Sequence, residues 1–257
     1  MQPKIAIGDR EANIAAIRRL LEQAVADGAD TVLLPELWDI GFYPRPLADY
    51  ADPEGARAQA VLAELAVKYD VDIVGGSVAA KLAAGVHNRC YVFDRAGTLQ
   101  ATYDKAHLFS PAKENKAFVP GRDIAVFTLG GVKCGVIICY DLRFPELARR
   151  LALQDIAVLF LPAAWPTVRL THWRLLSMAR AVENQCFVAA ANGSGSFANG
   201  VELAGHSLLI DPWGECLAET GVEEAVITAA FDFAVREKIK HTIDVFADRR
   251  PELYGTP

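Results

Sequence analysis

The runs "TVLLPEL" (31–37), "VDIVGGSV" (71–78), "IAVLFLPAAW" (156–165) and "CFVAAAN" (186–192) are apolar almost without interruption. A strand with one wet face alternates apolar and polar residues, whereas an unbroken run has to be covered on both faces. Helical stretches separate these runs. From Glu11 to Ala26, Ile14, Ile17, Leu20, Leu21 and Ala24 share one face; further helices read over Arg57 to Tyr69 and "RLLSMARAVENQ" (174–185). "CYVFD" and "LQATYDK" form a hairpin across Arg95-Ala96-Gly97, and "IAVFTLGGVKCGVIIC" a second one across Gly130-Gly131. "GHSLLIDPWGECLAET" reads as strand–turn–strand, and "IAVLFLPAAW" as a buried strand ending at Pro162. Sheets stacked inside and helices outside make an α/β, four-layer α-β-β-α sandwich of two mixed sheets. No repeat, linker or low-complexity segment divides the 257 residues, 52% of them apolar, so a single domain over 1–257 is expected.

Several function classes drop out. No apolar run approaches membrane-span length, and "MQPKIAIGDREAN" lacks a secretory signal's charged start and apolar centre. The net charge is −6 with no basic run, which argues against nucleic acid as a partner. Cys90, Cys134, Cys139, Cys186 and Cys216 lie far apart with no CxxC pair, a pattern of reduced thiols in a cytoplasm and of no zinc site.

Reactive residue types stand where apolar runs end. In "GVIICYDLRFPEL" (135–147), Cys139 is the last apolar residue before Tyr140, Asp141 and Arg143, and Phe144-Pro145-Glu146 then opens a helix. Such an elbow aims backbone N–H groups at a side chain at a sheet edge. Cys139 there is either a nucleophile or a small hydrophobe closing a strand. Glu36 follows Pro35 at the end of "VLLPE", and Lys105 ends "ATYDK". Each alone reads as a solvated loop residue. Together they supply a base and acid (Glu36), a cation for an oxyanion (Lys105) and a thiol (Cys139). The five histidines show no catalytic spacing.

"LLPEL" (33–37), "YDKAHLF" (103–109) and "CYDLRFPEL" (139–147) match, in order and spacing, the three signatures of the nitrilase, or carbon–nitrogen hydrolase, superfamily. "ENKAFVPG" (114–121), "RAVENQCFVAAAN" (180–192) and "GHSLLIDPWG" (205–214) resemble its supporting segments, so the resemblance runs from about Gln2 to Tyr254. It implies the α-β-β-α fold, a homodimer, and cofactor-free hydrolysis of a non-peptide C–N bond in a small amide. By matching position it implies Glu36 as general base, Lys105 as oxyanion cation, Cys139 as nucleophile and Glu114 as second glutamate. The backbone N–H of Tyr140 becomes the oxyanion donor. Glu114 also reads as a plain surface residue of "AKENK". Glu183 and Asn184 are expected to hold the elbow. Superfamily members carry several residues of a first strand before the glutamine that Gln2 matches, so this strand is expected to be very short or truncated.

"CYDLRFPEL" is similar to the Nit-like and ω-amidase branch, and "AAWP" (163–166) to bacterial members associated with methionine salvage. The reaction implied is 2-oxoglutaramate to 2-oxoglutarate and ammonia. A different small-amide hydrolase, N-carbamoyl hydrolase or nitrilase of the superfamily, and an inactive binding protein, stay open at this point. Arg143 is expected either to anchor the substrate's distal carboxylate or to pair with Asp141 or Glu146. Trp165 is expected to line the substrate site.

Overall fold

In this computed structural model residues 1–42, 44–197 and 199–254 are described; the domain expected over 1–257 includes positions 43, 198 and 255–257, which lie outside the described residues. The first half carries α1 (Arg10–Ala26), β1 (Thr31–Leu33), β2 (Asp52–Pro53), α2 (Ala56–Tyr69), β3 (Asp72–Val74), β4 (Val78–Leu82), β5 (Gly85–Phe93) and β6 (Leu99–Asp104). The second carries β7 (Ala125–Leu129), β8 (Val132–Val136), α3 (Pro145–Ala152), β9 (Val158–Ala163), α4 (Leu170–Asn184), β10 (Phe187–Asn192), β11 (Leu208–Ile210), β12 (Cys216–Glu219), α5 (Phe233–Thr242) and α6 (Pro251–Tyr254).

The first sheet is built on β5, which pairs with β3 and β4 along one edge and β6 along the other. The second runs β12-β11-β10-β9-β8-β7, parallel at β8-β9-β10 and antiparallel elsewhere. Ile14, Ile17, Leu20 and Leu21 of α1 and Leu62 and Leu65 of α2 pack with Val32, Ile73 and Phe93 of the first sheet. Leu151 of α3 and Trp173 and Ala181 of α4 join the core that contains Val92 from the first sheet and Val136, Phe160 and Val188 from the second. These are the four layers read from the apolar runs.

Three local readings change. "VDIVGGSV" is not one strand: β3 and β4 both run antiparallel to β5, and Gly75-Gly76 interrupts them. Gly76 has φ +59°, and a Cβ there would stand 2.1 Å from the Pro35 carbonyl oxygen, so only glycine lets the chain cross behind the Glu36 segment. The strand read over 31–37 stops at Leu33, because Pro35 has no N–H to continue a ladder. The strand read as ending at Pro162 continues to Ala163. At the N-terminus, Gln2 and Lys4 make single bridges to Ala225 and Ser194, in keeping with a very short first strand. Cys90, Cys134 and Cys186 are buried packing residues, whereas Cys216 is exposed on β12. Among the described residues, no helix is long and apolar enough to cross a membrane.

Candidate active site

Strand ends deliver the reactive residues to one place. Glu36 lies in the turn after β1, its N–H donating to the Ala163 carbonyl at 3.3 Å. Lys105 follows β6 directly and is clamped at both backbone groups: its N–H donates to Asn88 O and its carbonyl accepts from Gly121 N, each at 2.9 Å. Cys139 opens a single 3-10 turn, Cys139–Arg143, beyond β8, with φ +48°. This is the left-handed region that a non-glycine residue occupies only when its surroundings hold it there. Glu114, whose segment also reads as surface, sits in a 3-10 turn with its side chain fully buried.

The buried cluster is closed by hydrogen bonds. Lys105 Nζ donates to Glu36 Oε1 at 2.7 Å and to Glu114 Oε1 and Oε2 at 3.1 and 2.9 Å. Glu36 Oε2 accepts from the Ala164 N–H at 2.9 Å, and Glu114 Oε2 from the Phe109 N–H at 2.6 Å. Asn88, in the middle of β5 and unremarked in the sequence reading, donates to Glu36 Oε1 at 2.8 Å and to Glu114 Oε1 at 3.0 Å. The "VHN" context (86–88) of a hairpin strand gives no reactive signal; only the pairing register brings Asn88 beside Lys105.

Electrostatics divide the labour. Burial alone would lower the Lys105 ammonium, but Glu114 and Glu36 together outweigh it and hold its pKa well above the usual lysine value. Lys105 is therefore a permanent cation. The Cys139 thiol is pushed well up, first by burial and then by the Glu36 charge, with Lys105 pulling the other way. At neutral pH it rests as a thiol with Glu36 as its hydrogen-bond acceptor, so it needs a base.

A second set of bonds sets the elbow. Asp141, fully buried, accepts from the Ile138 N–H at 2.9 Å, the His107 N–H at 2.8 Å and the Tyr103 hydroxyl at 2.7 Å. Arg180 of α4 donates to the Leu142 carbonyl at 2.6 Å and to Glu183 at 2.7 Å. Glu183 thus steadies the elbow through Arg180, and Asn184 donates to the Arg180 carbonyl at 3.0 Å.

Cys139 opens into a cleft of about 580 Å³. Arg143 and Trp165 both line it, with Arg45, Lys113 and Arg169; among the described lining residues none is acidic. Arg143 pairs with neither Asp141 nor Glu146: its guanidinium lies 4.8 Å over the Trp165 ring, with Nη2 3.3 Å from His172 Nδ1. Trp165 is fixed by its indole N–H on Arg169 O at 2.8 Å and its backbone N–H on Asn192 Oδ1 at 2.8 Å.

The carbon–nitrogen hydrolase family model matches residues 1–241. The chain is 42% identical to the 2-oxoglutaramate amidase of Bacillus subtilis, over 99% of this chain and 97% of that protein. It is 34% identical to the human omega-amidase NIT2, over 95% and 91%. A CN-hydrolase superfamily protein from Xanthomonas campestris, solved with an arsenic adduct in its active site, superposes with a TM-score of 0.91 at 31% identity, covering 97% of this chain and 95% of that one.

Proposed function

The chain belongs to the carbon–nitrogen hydrolase family, and on that premise we propose that it is an ω-amidase hydrolysing 2-oxoglutaramate to 2-oxoglutarate and ammonia through a thioester on Cys139. The observation that carries the substrate is the cleft over Cys139, lined by Arg45, Lys113, Arg143 and Arg169 without an acid among the described residues. A small amide with a carboxylate at its far end suits that field.

The chemistry follows from which lone pairs are free. Glu36 Oε1 already accepts from Lys105 and Asn88, while Oε2 accepts only the Ala164 N–H. Each carboxylate oxygen offers about two acceptor sites, so the thiol proton passes to Oε2. The Cys139 sulfur attacks the amide carbon, and the carbonyl electron pair moves to oxygen. Lys105 and the Tyr140 N–H hold that oxyanion; losing one such donor costs roughly 3 kcal/mol in the barrier. Lys105 touches both oxygens of Glu114 and can turn one of those bonds to the oxyanion while staying anchored. Collapse expels the nitrogen, which takes the proton from Glu36 and leaves as ammonia. Glu36 then draws a proton from water; the hydroxide adds to the thioester carbon, and the departing sulfur recovers the proton.

The exposed Leu175 and Val182, seven residues apart on α4, support the expected homodimer, which belongs to this proposal together with a cytoplasmic location. The function is tested by ammonia release from 2-oxoglutaramate, glutamine, butyramide, a short nitrile and an N-carbamoyl amine. The expected result is clear preference for 2-oxoglutaramate. Faster turnover of the nitrile or the carbamoyl amine would overturn it.

A further inference from the structure

We infer that Asn88 is a positioning residue that keeps Glu36 working as the base, by hydrogen-bonding both glutamates at once without adding a charge. The inference rests on the catalytic roles proposed above and goes beyond them.

Three buried side chains meet around Lys105. Two are carboxylates, and the third, Asn88, is fully buried and donates through one nitrogen to Glu36 Oε1 at 2.8 Å and Glu114 Oε1 at 3.0 Å. The amide has one sensible orientation, since turning it over would set its oxygen against two carboxylate oxygens. The titratable groups facing the pair are Lys105 and, on the Glu36 side, Cys139. Two carboxylates and one ammonium leave one negative charge uncompensated. A second cation at position 88 would neutralise it and remove the driving force for taking the thiol proton. An apolar residue would leave two buried carboxylate oxygens short of a donor, favouring their protonated forms. A neutral donor is the remaining choice: it steadies the ionised carboxylates and leaves the spare charge in place. It also occupies both Oε1 atoms, so that Glu36 presents Oε2 to the sulfur.

His87 and Asp104, neighbours of Asn88 and Lys105 in sequence, pair with each other at 3.1 Å. Strand alternation puts them on the opposite face, away from the carboxylates.

The test uses two variants of the full chain and the pH profile of kcat/KM. Asn88→Leu keeps the branched shape without the donor. It should lose roughly 10- to 100-fold in kcat/KM at neutral pH, and its acidic limb should move upward by roughly one pH unit, the equivalent of tenfold. Asn88→Asp puts a third acid between the two glutamates and has to hold a proton to donate, so its alkaline limb should move downward. A merely structural Asn88 would lower activity equally at every pH. Unmoved limbs in the folded variants therefore overturn the inference, and should Asn88→Leu fail to fold, the near-isosteric Asn88→Asp decides alone. Cys139→Ala is assayed alongside. If it is inactive while the Asn88 limbs stay fixed, only this inference fails; if it is active, the catalytic reading beneath it fails.

Discussion

The Tyr103 hydroxyl donates to Asp141 Oδ2 at 2.7 Å and so ties the strand that delivers Lys105 to the turn that delivers Cys139. The same carboxylate takes the His107 N–H on the far side of Lys105 and the Ile138 N–H just before Cys139. One buried carboxylate therefore sets the separation of the Lys105 ammonium and the Cys139 thiol. Tyr103→Phe removes this bond and the one the hydroxyl accepts from the Ala106 N–H at 3.3 Å, and should cost about 1–2 kcal/mol of stability with a modest fall in kcat. Asp141→Ala strands several buried donors and should cost about 3 kcal/mol or more, with kcat falling over 100-fold. Thermal melts and kcat measured on the same preparations check this. Wild-type kcat in Asp141→Ala would mean that the elbow keeps its shape without the carboxylate.

Cys139→Ser and Cys139→Ala should abolish turnover and leave the melting temperature near wild type, since the change is about one atom in a side chain already held by its backbone turn. Intact mass on stalled wild-type reactions should show an acyl adduct at Cys139. Turnover by Cys139→Ala, with contamination excluded, would end the thioester account.

Lys105 is fully buried between Glu36 and Glu114 with all of its bonds at 2.7–3.1 Å. A guanidinium is longer, planar and carries its charge elsewhere. Lys105→Arg should therefore lose more than tenfold in kcat and approach Lys105→Ala. Retention of more than about a tenth of wild-type kcat, a loss under ~1.4 kcal/mol, would show that any cation in the region suffices.

Glu36→Gln separates the two roles proposed for Glu36. Its charge helps hold the Cys139 proton on, second only to burial, while Lys105 favours the thiolate. Removing the charge while keeping the shape should ease thiolate formation yet remove the proton carrier. Amide hydrolysis should fall by roughly 10²- to 10⁴-fold. Alkylation of Cys139 by iodoacetamide, followed by mass, should run at least as fast as in wild type. Loss of alkylation together with turnover would mean that the sulfur cannot react at all without Glu36.

Much of this centre was legible because its residues break a pattern. A Glu after Leu-Leu-Pro, a Lys closing "ATYDK" and a Cys closing "GVIIC" each interrupt an apolar run, and strand ends are where side chains can leave a sheet. The four layers followed from the same runs. What stayed hidden depends on pairing across the chain. Asn88 lies inside a hairpin strand, and its place beside both glutamates is a matter of register between β5 and β6, where Arg89 faces Asp104. Asp141 reads as one charge in a charged turn; its bonds to Tyr103 and His107 span more than 30 residues of sequence. Glu114 was reached through family resemblance, because local composition around it says surface while the fold buries it. The break between β3 and β4 is set by the close approach of the Pro35 carbonyl to Gly76, a contact no local pattern encodes.

Asp39 offers a pH test away from the chemistry. Burial pushes its carboxyl up to about 7, against the pull of Arg10, whose Nε donates to it at 3.1 Å; nearby Asp52 adds to the rise. The folded state thus keeps a proton that the unfolded chain, with an ordinary value of 3.8, gives up. That contribution to stability is fully present below about pH 4 and is lost as pH rises to about 7. Asp39→Asn lacks the titration, so its melting temperature relative to wild type should improve from pH 4 to pH 8. Each kcal/mol of relief is worth roughly 2–4 °C in a chain of this size. A difference that stays constant across that range would show that Asp39 does not titrate between the two states.

Under the proposed function, specificity turns on Arg143. It lies at the end of the Cys139 turn, stacks 4.8 Å over Trp165 and faces the cleft. Its candidate partners within the elbow are otherwise engaged or absent: Asp141 points to Tyr103, His107 and Ile138, and the neighbour of its Nη2 is His172 at 3.3 Å. An arginine held over an indole can turn its outer fork to a carboxylate, and the bidentate geometry fixes both distance and angle. Four residues from Cys139, it is placed, on the proposed reading, to hold the far end of a short chain whose near end is an amide. A charge-assisted hydrogen bond of this kind contributes roughly 1.5–3 kcal/mol, equivalent to about 10- to 150-fold in kcat/KM. Arg143→Ala should therefore lose that much toward 2-oxoglutaramate and far less toward butyramide, which has no carboxylate to hold. Arg143→Lys should recover part of the loss as a point charge without the fork. Equal losses on both amides, or a fall in melting temperature large enough to account for the whole defect, would return Arg143 to supporting Trp165 and leave the carboxylate to Arg45, Lys113 or Arg169.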